Sequence, residues 1–194
     1  MARGRTLGKS QDNFCSTGGR YRTATDTWTA TSTGANLPAG RYWHSAVWTG
    51  TEMIVWGGLD YSIPPSGIYY NDGGRYNPVA DSWRSTSTGP GVPSARAYHP
   101  AVWTGSEMIV WGGYSYTTQD NYFNSGGRYN PNSDVWSPTS TGVNNPSERA
   151  LQSTVWTGSR MIIWGGGSFT TGNTSFNDGG FYDPISDSWL ATSL

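Results

Sequence analysis

Three stretches of the chain share one order of apolar and polar positions: a short run ending in Trp, a polar turn built on Thr-Gly, four consecutive apolar residues, and a double glycine. They run from Trp48 to Gly58, from Trp103 to Gly113 and from Trp156 to Gly166. A glycine turn between two short runs predicts a β-hairpin. The first strand is expected at Trp43 to Trp48, Tyr98 to Trp103 and Leu151 to Trp156, and the second at Met53 to Trp56, Met108 to Trp111 and Met161 to Trp164. A strand with one wet face alternates, whereas these second strands are apolar throughout, so both of their faces have to be covered.

A more polar pair follows each hairpin. Gly73-Gly74-Arg75-Tyr76 leads to Trp83, Gly126-Gly127-Arg128-Tyr129 to Trp136, and Gly179-Gly180-Phe181-Tyr182 to Trp189; a further copy, Gly18-Gly19-Arg20-Tyr21 to Trp28, precedes the first hairpin. The four tryptophans that end these units are 55, 53 and 53 residues apart. Asn77-Pro78-Val79-Ala80-Asp81 and its equivalents have the Pro-then-Asp chemistry of a tight turn, which predicts a third and a fourth strand. Pro100 falls within the first strand of the second repeat. Proline removes a ladder donor and is tolerated at a sheet edge, so the first strand is expected to be an edge.

Self-similarity at about fifty residues, the double glycine after an apolar strand, the Tyr-Asn-Pro or Tyr-Asp-Pro turn and the Trp seven residues beyond that Tyr go together in one family. From about Gln11 to its end the sequence resembles bacterial kelch-repeat proteins. The resemblance implies an all-β fold, a kelch-type β-propeller of four-stranded antiparallel blades, with three complete blades plus an N-terminal half-blade made of strands three and four. Residues 1–13 are expected as a disordered tail and 14–194 as the propeller, with the half-blade at 14–40 and blades at about 41–90, 91–143 and 144–194. Strand one would be innermost, lining the channel. Trp48, Trp56, Trp83, Trp103, Trp111, Trp136, Trp156, Trp164 and Trp189 would form the structural repeat.

Three and a half blades fall short of the roughly four to eight that close a ring. Four solutions are open: a fragment of a larger propeller, assembly of copies with one another, a designed set of repeats, or a strained four-bladed monomer. Open blade faces would expose apolar strands and Trp rings, which favours self-association. A homo-oligomer completing the propeller is therefore the expected partner.

Composition narrows the function classes. The chain has 27 Gly, 11 Trp and 12 Tyr but only 13% charged residues and a net charge of −1, with its arginines scattered. No field attracts nucleic acid, and no apolar run is long enough for a membrane span. The segment Met1 to Ser10 lacks the apolar middle of a secretory signal. A soluble chain is expected, cytoplasmic as given, although a secreted parent would look the same. Cys15 is the single cysteine, so no internal disulfide or cysteine metal site can form.

Arg41, Arg96 and Arg149 stand at the entrance to strand one in each repeat. In kelch domains that bind acidic peptides, arginines near this face make the contacts, so the resemblance offers them as a carboxylate-binding ring; the competing reading packs each against loop carbonyls. His44 and His99 share one position, where the third repeat has Gln152, which fits a hydrogen-bonding channel residue better than a metal ligand. The loops between strands two and three carry Tyr61, Tyr69 and Tyr70, then Tyr116, Tyr122 and Phe123, then Phe169 and Phe176. Of these, Tyr61, Tyr70, Tyr116, Tyr122 and Phe169 are candidates for stacking on a glycan or peptide, against the alternative that they pack loop on loop. No catalytic set, cofactor or metal site is expected. Galactose oxidase is a kelch-type propeller with a copper site that includes a Cys-Tyr crosslink, and Cys15 has no matching arrangement around it. The expected function is a non-enzymatic interaction or scaffold module that self-associates; the alternative is a carbohydrate-binding or carbohydrate-active propeller.

Overall fold

The computed structural model describes residues 16–62, 67–168 and 174–192, and the regular elements among them are all strands. Residues 1–13, expected as a tail, lie outside the described residues, as do Cys15 and Phe169. The half-blade is β1 (Gly19–Arg22) paired with β2 (Thr27–Ala30). The first full blade orders β3 (Ser45–Trp48), β4 (Met53–Trp56), β7 (Gly73–Asn77) and β8 (Ser82–Ser85), with β5 (Leu59–Asp60) and β6 (Ile68–Tyr69) as a small hairpin at one end. The second orders β9 (Ala101–Trp103), β10 (Met108–Trp111), β13 (Gly126–Asn130) and β14 (Val135–Pro138), with the end hairpin β11 (Tyr114–Tyr116) and β12 (Asp120–Tyr122). The third repeats this as β15 (Ser153–Trp156), β16 (Met161–Trp164), β19 (Gly179–Asp183) and β20 (Ser188–Ala191), with β17 (Gly167–Ser168) and β18 (Thr174–Ser175).

Strand one is the inner edge, as the proline argument requires, because β9 touches both β3 and β15. Pro100 stands just outside β9, which has three residues where β3 and β15 have four. The rung made by Ser45 with Trp56, and by Ser153 with Trp164, is missing from the second blade. Strand one also starts later than the apolar run suggests. Trp43, Tyr98 and Leu151 have positive φ and leave the sheet. The backbone N–H of Tyr98 donates to Trp43 O and that of Leu151 to Tyr98 O, each at 3.1 Å, forming a belt from blade to blade.

The apolar second strands are covered as expected where a blade stands on each side. Val47, Ile54 and Trp56 pack on Met108, Val110, Tyr129 and Trp136 of the second blade. Val102, Ile109 and Trp111 pack in the same way on Met161, Ile163, Tyr182 and Trp189 of the third. All four residues of β10 are buried. At about 1.5–3 kcal/mol for each large side chain fully buried, these two seams are the main stabilising contacts.

Polar ties repeat beside the seams. Arg20, Arg75 and Arg128 each donate from Nη1 to the proline carbonyl of the next blade's turn, at Pro78, Pro131 and Pro184 (2.7, 2.6 and 2.6 Å). Asp81, Asp134 and Asp187 each accept the hydroxyl of their own blade's Tyr and the backbone N–H of Ser32, Ser87 or Ser140 from the preceding unit. The half-blade uses both ties, so it occupies the place of a preceding blade, with strands three and four of that blade among the described residues.

Candidate functional site

Arg41, Arg96 and Arg149 are buried side chains. Arg96, 1% exposed, donates from Nε to Ser94 O (2.9 Å) and from Nη1 to Gly112 O and Ser125 O (2.9 and 2.8 Å). Arg149, 0% exposed, reaches Ser147, Gly165 and Asp178 carbonyls in the same pattern, and Arg41 reaches Ala39, Gly57 and Asp72. An aromatic ring covers each guanidinium at 4.0–4.2 Å: Tyr70 over Arg41, Phe123 over Arg96 and Phe176 over Arg149. In this arrangement the three guanidinium groups lock each blade's own loops, and Tyr70 is a lid on one of them. Arg41 and Arg149 also pair with a carboxylate of their own blade, Asp72 at 2.8 Å and Asp178 at 2.7 Å.

The position shared by His44, His99 and Gln152 also separates by burial. His99 and Gln152 are buried, whereas His44 is exposed. Gln152 Nε2 donates to Trp111 O at 2.8 Å, and His99 Nε2 lies 3.1 Å from Ser45 Oγ. Burial, with the Arg96 charge nearby, pushes the His99 imidazole from 6.5 down to about 3. The unfolded chain therefore takes up this proton first as pH falls, and the stability contributed by neutral His99 is whole above about 6.5 and is lost as pH drops towards 3. At about 1.4 kcal/mol per pKa unit, the loss by pH ~4 is roughly 3 kcal/mol. His99→Gln, which copies the third blade, should flatten the fall in melting temperature between pH ~7 and ~4 relative to the native chain. Parallel melting curves for the two proteins would remove this reading.

The predicted loops are hairpins, and their rings meet residues that the sequence pattern placed in strands. Trp43 stacks on Tyr98 (4.3 Å, 31°), Tyr61 stands edge-on to Trp43 (6.1 Å, 89°), and Tyr98 leads on to Tyr114 (6.2 Å). Tyr114 in turn packs on Tyr122 (4.9 Å) and Tyr69 (5.9 Å) and donates its hydroxyl to Asp120 Oδ1 at 2.6 Å. Burial raises the phenols of Tyr69, Tyr98 and Tyr114 well above their usual value, so they remain neutral. Tyr61 and Trp43 expose their rings, Tyr116 is exposed on its hairpin and Tyr122 is half-buried. Sequence reasoning missed Trp43 and Tyr98 as surface rings because an apolar residue before a strand looks like the strand itself. The third blade has Leu151 at this position, so the aromatic row spans two blades.

Among the structural tryptophans, Trp56, Trp111, Trp136 and Trp189 are buried, and Trp83, Trp103 and Trp156 are half-buried. Trp48 and Trp164 are exposed. Glu52, at the hairpin turn before strand two, pairs with Arg75 at 2.8 Å. Among the described residues no group of three or more His, Cys, Asp or Glu side chains could hold a metal ion, and no helix is long and apolar enough to cross a membrane.

Four-stranded antiparallel units with an inner first strand, a double glycine opening strand three and a tryptophan in strand four define kelch-type β-propeller blades. Residues 4–193 match the model of the KLHDC2/KLHL20/DRC7 Kelch-repeats domain, and the chain belongs to this Kelch-repeat family. It is 28% identical over 150 residues to Kelch domain-containing protein 3 of Rattus norvegicus, covering 75% of this chain and 39% of the relative. The Homo sapiens protein of that name is 27% identical over the same length and share. The chain thus spans about two-fifths of these curated relatives. They are mammalian, so the kelch resemblance stands without its restriction to bacteria.

Proposed function

We propose that the chain is a non-enzymatic interaction scaffold that joins copies of itself through the two open ends of its blade row. One observation carries this reading. Inside the row, the strand-two Trp of each blade meets the strand-four Trp of the next: Trp56 with Trp136 at 5.1 Å and Trp111 with Trp189 at 5.3 Å. At the ends the same two positions lack that partner among the described residues. Trp164, the strand-two ring of the last blade, is 46% exposed, and Trp28, the strand-four ring of the half-blade, is 71% exposed. Exposed Val155 adds to the last face, and Phe181 stands where Arg20, Arg75 and Arg128 reach the next blade. Head-to-tail packing would bring Trp164 of one copy against Trp28 of the next, a heterologous contact that continues the two internal seams.

Light scattering across a concentration series should show the mass rising above 21.0 kDa, with Trp164→Glu holding the monomer mass. A native chain that stays monomeric, or a variant that associates equally well, would remove the reading.

A second reading is favoured by the exposed rings of Trp43 and Tyr61, which stand at right angles beside the belt. Such a corner suits stacking on a sugar face. Retention on a glycan array, lost in Trp43→Ala/Tyr61→Ala, is the expected result; no retention by the native chain excludes it.

A further inference from the structure

We infer that the exposed end of the β11–β12 hairpin is a binding site for an arginine side chain of a partner polypeptide, with Asp120 as the opposite charge and Tyr116 as the stacking surface.

The chain already holds guanidinium groups in this way. Arg41 lies 4.2 Å from the centre of the Tyr70 ring and pairs with Asp72 at 2.8 Å. Arg149 lies 4.0 Å from the centre of the Phe176 ring and pairs with Asp178 at 2.7 Å. In both cases a ring and a carboxylate close around an arginine of the chain itself. The same two groups stand together at the end of the β11–β12 hairpin, and there no described arginine pairs with the carboxylate.

Register brings them side by side. Tyr116 and Asp120 are direct partners across β11 and β12, and Tyr114 with Tyr122 is the next pair but one. Directly opposed residues project from the same face of a hairpin, with Cβ atoms about 5 Å apart. The Tyr114 hydroxyl donates to Asp120 Oδ1 at 2.6 Å, which orients the carboxylate and leaves Oδ2 without a partner among the described residues. Asp120 is exposed, and so is the Tyr116 ring at 37%. With Thr118 and Gln119 they line a hollow of about 430 Å³. A guanidinium laid on the Tyr116 ring would gain from the ring face while its edge donates to the carboxylate, a combination that the compact ammonium of lysine does not match.

Nearby groups leave this charge unanswered. Arg96 is spent on the Ser94, Gly112 and Ser125 carbonyls and lies under Phe123. The pairing also differs from the first blade, where Tyr61 stands at the position of Tyr116 but Gly67 precedes Ile68 as Asp120 precedes Asn121. That hairpin has the ring without the opposed carboxylate, so the cation site is specific to the second blade.

The inference is independent of the Trp164 and Trp28 faces and of the Trp43–Tyr61 corner, and stands whether or not the chain self-associates or binds sugar. One side chain binds weakly, so the test follows backbone amide shifts by NMR in the full chain carrying Trp164→Glu, which removes association through that face. The probe is the peptide Gly-Ser-Arg-Ser-Gly, acetylated and amidated so that it has no terminal charge. Saturable shifts centred on residues 114–122 are expected, with the affinity lowered about fivefold by Asp120→Asn and by Tyr116→Leu. The lysine version should bind more weakly, and the version with neutral citrulline should not bind. Melting temperatures of the two variants should match the parent, since both positions are exposed and an asparagine still accepts the Tyr114 hydroxyl. Absence of saturable shifts, shifts centred elsewhere, equal binding of the lysine or citrulline peptide, or an unchanged affinity in either variant overturns the proposal.

Discussion

Gly126→Ala should lower the melting temperature by roughly 6–12 °C, the fall expected from about 3 kcal/mol in a chain of this size. A Cβ at Gly126 would fall on the carbonyl oxygen of Val110 and within 2.9 Å of Trp111 Cα. β10 cannot retreat, because its four residues are buried between neighbouring blades and held in register with β13 from Met108–Tyr129 to Trp111–Gly126. Relief would have to come from breaking the ladder or opening a seam. The same substitution at Gly18 should move the transition by no more than ~1–2 °C, since a surface change without a clash stays within about 0.5 kcal/mol. Thermal unfolding followed by circular dichroism measures both. Equal shifts for the two alanine variants would mean that β1 already has a neighbour on its inward side.

The second large effect is expected at Arg96. Arg96→Met removes the donor to the Gly112 and Ser125 carbonyls and to Ser94, together with the cation stacked under Phe123. Each buried acceptor left unpaired costs about 1–3 kcal/mol, and a methionine thioether has no N–H or O–H to donate to any of the three. A loss of roughly 3–5 kcal/mol follows, seen as a fall of about 10 °C in the melting temperature. Arg96→Lys should recover less than half of it, because an ammonium lacks the planar fork that spans separate carbonyls and does not stack in the same way. A shift of less than ~2 °C in Arg96→Met would show that water replaces the guanidinium and that the arginine is not a lock.

How far the site could be read from the sequence differs between residues for physical reasons. The arginines were visible as a repeated position with two readings, a carboxylate ring or packing against loop carbonyls, and the sequence could not choose because their burial depends on Phe123 and Phe176 folding back over them from loops of unequal composition. Those loops gave no strand signal, being short and rich in Ser, Thr and Asn, yet β11 and β12 pair over three residues once their ends are clamped. Trp43 and Tyr98 were hidden in the opposite way. Their apolar rings extended the strand pattern, while their positive φ is imposed by the belt of bonds between blades, a contact about fifty-five residues away in the chain.

Local chemistry determined the parts list: hairpins at each Thr-Gly turn, tight turns at Asn77-Pro78 and its equivalents, and second strands that must be covered on both faces. These follow from residue type and spacing over a few positions, which any copy of the repeat carries. Tertiary structure decided which copies are in fact covered. Trp56, Trp111 and Trp164 stand at the same position in nearly identical stretches, yet the first two are buried and the third is open. Gly18 and Gly126 likewise belong to the same unit, and among the described residues only the second has a strand-two carbonyl against it. A repeat specifies its own fold through contacts along the chain, but the burial of its faces depends on what stands next to it, and that is fixed only when the blades are assembled.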